Sequence, residues 1–226
     1  MKTALITGAN RGIGLEFVRQ LKDKGYTIIG CCRNPSTANE LNALADEVIQ
    51  LDVTNDNDIA ALKQKLHNRP IDLLVNNAGT SGERGVTIGN VNRENFIEIF
   101  NVNCVSVVKL SDALLPNLQS SKEKNILVIS SRMGSISDND SGRSYAYRAS
   151  KAALNCAMRS FAIDVKAQGI NVMLIHPGWV KTDMGGIDAL VDVQTSVAGM
   201  LKQAEQQFSK SHAAVLHRFD GAEIAW

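Results

Sequence analysis

Apolar residues recur along this chain in two alternating patterns. Short runs that are apolar throughout predict strands at Ala4–Thr7, Tyr26–Cys32, Val48–Val53, Ile71–Val75, Ile126–Ser130, Ile170–Ile175 and Ala214–Phe219. Between them, apolar positions fall at helical spacing. They are Ile13, Phe17, Val18 and Leu21; then Leu41, Leu44 and Ala45; then Ile59, Leu62 and Leu66. A long helix follows from about Glu94 to Leu118, then one that carries Tyr147 and Lys151, then one from about Val193 to Phe208. Gly25 and Gly169 stand where the first helix and the Tyr147 helix should stop. Pro116 should sharpen or end the last turn of the long helix. Strands without a polar face, separated by helices, imply a parallel sheet covered on both sides. Right-handed crossovers then make a doubly wound α/β fold, mostly a seven-stranded parallel sheet with helices on both faces. No linker, repeat or low-complexity stretch divides residues 1–226, so a single domain is expected.

Composition narrows the function more than the fold. The 226 residues are 44% hydrophobic with a formal net charge of +1, which argues against a nucleic-acid surface. No apolar run reaches membrane-spanning length. The run Lys2–Thr7 reads as a strand entering a loop, without room for a signal peptide, and a cytoplasmic protein is expected. Cys31, Cys32, Cys104 and Cys156 lack ligand or framework spacing and read as reduced core thiols. Cys31 and Cys32, adjacent on one strand, should point to opposite faces. His67, His176, His212 and His217 form no metal-binding array, so no metal is expected.

Three stretches carry chemistry. Tyr147-Arg-Ala-Ser-Lys151 puts a phenol and an ammonium one helical turn apart. A free tyrosine, with a pKa near ~10, is a poor proton shuttle at neutral pH, and a neighbouring cation lowers that pKa. Thr7-Gly-Ala-Asn-Arg-Gly-Ile-Gly14 follows the first strand and opens the first helix, where glycines admit a pyrophosphate to the helix N-terminus. It lacks the Gly-Lys-Ser/Thr ending of a P-loop. The second strand ends in Arg33-Asn34, and no carboxylate lies between Asp23 and Glu40 to hold a ribose 2′-hydroxyl. Arg33, with Arg11 able to face the same point, suits a 2′-phosphate and favours NADP over NAD. Asp52-Val53 and Asn76-Asn-Ala-Gly79 close the third and fourth strands, at the sheet edge where open α/β folds bind ligands.

These motifs, with Asn103, Ser131 and Pro177-Gly178, stand in the order of the short-chain dehydrogenase/reductase family, which the chain resembles over nearly its whole length. The stretches Cys31–Pro35, Ser130–Gly134 and His176–Gly186 are similar to the sniffer and C-factor branch of carbonyl reductases. The resemblance implies a Rossmann domain that binds NADP(H) and reduces a small carbonyl compound, an aldehyde, ketone or quinone. It gives Tyr147 the role of general acid. Lys151 would lower the phenol's pKa and hold the nicotinamide ribose. Ser131 would steady the substrate oxygen, and Asn103 would hold a water linking Lys151 to solvent. The implied cofactor site comprises Gly8, Asn10, Arg11, Gly12, Ile13, Gly14, Arg33, Asn34, Asp52, Val53, Asn77, Ala78, Gly79, Tyr147, Lys151, Pro177, Gly178, Val180 and Thr182. Thr182 would be the partner of the carboxamide.

Read from the residues alone, Asn103 could instead bridge buried backbone, and Ser130 competes with Ser131. Tyr145 lies six residues from Lys151, on another face. The sixteen-residue step from Ser131 to Tyr147 exceeds the family's usual one by a few residues, within Ile136–Gly142. That loop is far shorter than the insertion of monomeric carbonyl reductases, so a homodimer is expected. The segment after Met184 is short, so an open site is expected. The alternatives are an NADP-binding signalling protein of C-factor type and an NAD-linked alcohol dehydrogenase; Arg11 and Arg33 speak against the second.

Overall fold

Among the residues described by the computed structural model (2–83, 85–208 and 215–226), seven parallel strands form one sheet. They are β1 (Thr3–Thr7), β2 (Thr27–Cys32), β3 (Glu47–Gln50), β4 (Leu73–Asn76), β5 (Asn125–Ile129), β6 (Asn171–His176) and β7 (Leu216–Arg218). Their order is β3-β2-β1-β4-β5-β6-β7. The chain winds outward from β1 to β3, then crosses to the other side of β1 and winds outward again. The reversal between β1 and β4 opens a crevice at the strands' carboxyl ends. The expected α/β fold is therefore the observed one. Of its seventh strand, Ala214 lies outside the described residues, as does His212.

The helices are α1 (Gly12–Asp23), α2 (Asn39–Leu44), α3 (Asp56–Lys65), α4 (Arg93–Phe100), α5 (Ser106–Ala113), α6 (Leu115–Gln119), α7 (Tyr145–Val165) and α8 (Val193–Gln207). Register sorts the core into two layers. Leu5 lies opposite Ile29 and Leu74, and all three join Leu62, Leu110, Leu154 and Met158 on one face. Ala4 and Ile6 turn the other way, toward Phe17, Val18, Leu21, Leu41, Val197 and Met200. Each fully buried large apolar side chain contributes roughly 1.5–3 kcal/mol, so both layers are needed to hold the sheet. Cys31 and Cys32 divide between the layers as their adjacency requires. Cys156 is exposed on α7 and so corrects the reading of all four cysteines as core thiols.

The predicted long helix is broken twice. Asn101–Val105 forms a π-turn between α4 and α5. A second break falls at Leu114, and Pro116 sits in the first turn of α6. Proline has no N–H for the preceding turn and is accommodated at a helix start, so it opens a short helix rather than ending a long one. Gly25 and Gly169 follow α1 and the turn after α7 at φ +81° and +73°, as the stop signals required.

Candidate active site at the carboxyl ends of the strands

β1 runs directly into the glycine loop. Gly8 and Gly12 have φ of +61° and +52°, and α1 starts at Gly12 with no side chain capping it. A Cβ on Gly8 would come 3.1 Å from Ala78 Cα, and one on Gly12 would lie 3.4 Å from Thr182 Cγ2. The loop thus faces both the turn after β4 and the segment after β6. An uncapped helix N-terminus behind glycines fits a pyrophosphate. Ile13 is half-buried and Asn10 exposed. Gly14 has a packing reason: a Cβ there would sit 2.1 Å from Gly8 O. We expect Gly14→Ala to destabilise the fold by about 1–3 kcal/mol, the usual cost of overpacking. An unchanged urea midpoint would remove this reading.

Thr7, which the motif reading did not single out as a site residue, holds the crevice floor. Its buried hydroxyl accepts from the N–H groups of Asn77 and Ala78, each at 3.0 Å. Asn77 Nδ2 donates to Thr7 O (2.9 Å) and Gly8 O (3.2 Å), so its side chain ties the two turns together. A hydroxyl at a strand end just before glycines was the available signal. Asn76 is buried and donates to Ser111 Oγ at 3.0 Å.

On the other side of the loop, Arg33 and Asn34 are exposed just past β2. β3 ends at Gln50, three residues before the predicted end at Val53, so Asp52 lies two residues beyond it, with Val53 half-buried beside it. Asp52 Oδ1 accepts from Thr54 Oγ1 (2.7 Å) and Thr54 N (2.9 Å). These bonds, and the nearby Arg33 charge, hold its carboxyl below the usual range. Arg11 is paired with the Asp183 carboxylate beside Thr182.

The strand ends of β5 and β6 and the start of α7 supply the remaining groups. Ser130 turns inward and donates to Asn155 Oδ1 at 2.5 Å. Ser131 caps the next turn, accepting from Met133 N at 3.1 Å, and stands by the Tyr147 phenol, where it favours the charged form. Of the serine pair, then, Ser131 meets Tyr147. Tyr145 opens α7 on another face. Lys151 is buried, donates to Ile129 O at 2.9 Å, and holds Nζ 5.9 Å from the Tyr147 ring centre.

Burial brings the Lys151 pKa down to about 8. Burial also pushes the Tyr147 phenol above its ordinary value, with the Ser131 hydroxyl beside it acting the other way. The expected lowering of the tyrosine pKa by Lys151 is therefore corrected for this structure. The ammonium is engaged with a carbonyl, and desolvation disfavours both charged forms.

Asn103 lies in the π-turn and is fully buried. Its Oδ1 accepts from Thr80 N (2.9 Å), and its Nδ2 donates to Thr80 O (2.8 Å) and Ser150 Oγ (3.1 Å). It bridges buried backbone, which is the alternative left open by the residues alone. Gly79 separates it from Lys151: a Cβ there would lie 3.2 Å from Asn103 Oδ1 and 3.9 Å from Lys151 Nζ. Ser150, missed in the sequence, completes the link by donating to Tyr147 O at 2.8 Å.

After β6, Pro177 O accepts from the buried Ser196 Oγ at 2.7 Å, and Gly178 takes φ +88°. Val180 is buried and pairs with Val191. Thr182 Oγ1 accepts from Gly185 N at 3.1 Å, and Trp179 Nε1 donates to Gly185 O at 2.7 Å. The short segment folds onto itself and leaves Ile187 and Leu190 exposed.

Residues 2–189 match the family described as short chain dehydrogenase. The C-signal protein of Myxococcus xanthus is 39% identical over 157 residues, covering 70% of this chain and 93% of that protein. The carbonyl reductase Sniffer of D. melanogaster superposes with a TM-score of 0.91 at 32% identity over 100% of both chains. The NADPH-bound carbonyl reductase from chicken fatty liver gives a TM-score of 0.89 at 34% identity, covering 100% of this chain and 99% of that one.

Proposed function

This chain belongs to the short chain dehydrogenase family, and from that premise we propose that it is an NADPH-dependent reductase of aldehydes, ketones or quinones. The observation that carries the reading is Tyr147 standing over the buried Lys151 and beside Ser131, next to a glycine cradle that fits a dinucleotide. The cofactor would be held by Gly8, Asn10, Arg11, Gly12, Ile13, Gly14, Arg33, Asn34, Asp52, Val53, Asn77, Ala78, Gly79, Tyr147, Lys151, Pro177, Gly178, Val180 and Thr182. NADPH bound there supplies the hydride for the carbonyl carbon. Tyr147 gives its phenolic proton to the carbonyl oxygen, so that an alcohol forms. Ser131 donates a hydrogen bond to the same oxygen as negative charge grows on it. Lys151 holds the nicotinamide ribose, and Asn103 keeps Gly79–Thr80 and α7 in register around it.

The test is oxidation of NADPH and NADH against a panel of ketones, aldehydes and quinones. Turnover with NADPH and little with NADH is expected. No turnover with either, despite tight NADPH binding, would favour a second reading suggested by the C-signal relative, an NADP-binding signalling protein. Reduction should also fall as pH rises through about 8, where Lys151 loses its charge. Tyr147, shifted the other way, keeps its proton to higher pH. A flat profile of kcat/KM across that range would remove Lys151 from the charged role.

We also place the protein in the cytoplasm as a homodimer joined helix to helix. Ile97, Val105 and Ile163 stand exposed on α4, the π-turn and α7, and would lose that exposure in such a pair. Light scattering at micromolar concentration should give twice the chain mass; a monomer would overturn the assembly. Among the described residues no helix is long and apolar enough to cross a membrane, and no group of three or more His, Cys, Asp or Glu side chains is placed to hold a metal ion.

A further inference from the structure

Ser131 and Tyr147 have to reach the same carbonyl oxygen, and the chain between them holds only the short helical turn Arg132–Gly134 before α7 begins. Ordering such a loop costs conformational entropy at every residue. A misplacement of about 1 Å in a reacting group can cost roughly 10²-fold in rate. The contacts that fix this loop therefore bear on the chemistry at both of its ends.

The ends are built into the site. At the first, Gly134 lies so close to α7 that a Cβ on it would come 2.8 Å from Lys151 C. Ser131 O accepts from Gly134 N at 2.9 Å, and Arg132 O from Ser135 N at 3.0 Å. At the second, Arg148 donates to Gly142 O at 3.1 Å and to Ser141 Oγ at 2.8 Å. The middle is held from a distant part of the chain. Trp226 O accepts from Ser137 N at 3.1 Å and from Ser137 Oγ at 2.7 Å. The hydroxyl of the buried Ser135 lies 3.3 Å from Ser137 Oγ and accepts from Asp138 N at 3.2 Å. Asp138 pairs in turn with Arg132, the neighbour of Ser131.

The segment that brings Trp226 to the loop is itself docked. Past β7 the chain turns at Gly221, with φ +96°, and runs back antiparallel along β7. Arg218 N donates to Ala222 O at 2.7 Å, and Ile224 N donates to Leu216 O at 2.8 Å. Ile224 packs on the core layer that holds Leu154 and Met158 of α7. Resting on the reductase reading, we propose that residues 222–226 are a clasp on the loop between Ser131 and Tyr147. Ser137 is then a positioning residue, acting through that loop on the carbonyl substrate. The clasp holds the loop and β7, so NADPH affinity is expected to survive its loss.

The test uses three variants of the full chain. Ser137→Ala removes one of the two hydrogen bonds to Trp226 O, Ile224→Ser loosens the segment from the core, and Ser137→Thr keeps the hydroxyl. Hydrogen exchange at the amides of 135–144 should be faster in the first two and unchanged in the third. With saturating NADPH, kcat/KM for a carbonyl that the parent chain reduces should fall about two- to tenfold in Ser137→Ala, the worth of one hydrogen bond, and recover in Ser137→Thr. Unchanged NADPH affinity by calorimetry shows that the variants are folded. Ser137→Ala and Ile224→Ser together should cost no more than the larger single loss, since both open one clasp. Unchanged exchange, fully additive losses, or full activity with a loosened loop would overturn the clasp. A parent chain that reduces no carbonyl would overturn the reductase reading instead, and exchange would still decide whether 222–226 hold the loop.

Discussion

Tyr147→Phe should abolish carbonyl reduction while leaving NADPH affinity nearly unchanged. The substitution removes one oxygen and keeps the ring, so the packing at the start of α7 survives. What is lost is the proton donor, which general acid–base groups make worth about 10²–10⁴-fold in rate. The half-buried phenol, standing by Ser131, makes that loss specific to chemistry. Single-turnover rates beside calorimetric NADPH affinities check it. Retained turnover would move the proton to another group. A parallel fall in affinity would mean that the hydroxyl holds cofactor rather than substrate.

Arg33→Ala should raise the KM for NADPH by roughly 10–100-fold and leave that for NADH little changed. The estimate takes hydrogen bonds to a charged group at about 1.5–3 kcal/mol, with 1.4 kcal/mol to each factor of ten. More of this is expected of Arg33 than of Arg11, because Arg11 is engaged with Asp183. Arg11→Ala should accordingly have the smaller effect on cofactor choice. Equal losses for NADPH and NADH in Arg33→Ala would remove the 2′-phosphate argument.

Much of the site was legible because its motifs are local. A glycine loop announces itself since glycine takes the φ of Gly8 without strain and Gly14 has no room for a Cβ. Tyr147 and Lys151 are tied by helical spacing alone. The choice of Ser131 over Ser130 came from resemblance, and the structure supplies a reason for it: Ser130 points to Asn155 and Ser131 to Tyr147. Long-range partners were not legible. Nothing in the stretch around Asn103 says that its amide binds Thr80, or that the helix around it loosens into a π-turn. The direction of the tyrosine shift also escaped the sequence, since spacing shows a nearby cation but neither burial nor the carbonyl that engages it.

By itself the sequence determined the alternation of strands and helices, the parallel sheet and the set of chemical groups at its carboxyl edge. Periodicity and turn chemistry act over a few residues and are written in neighbours. Only the tertiary structure decided which side chains meet across the crevice and where Arg11 goes. Those outcomes depend on packing between segments as much as 172 residues apart, through which burial and competing partners set each group's orientation and charge.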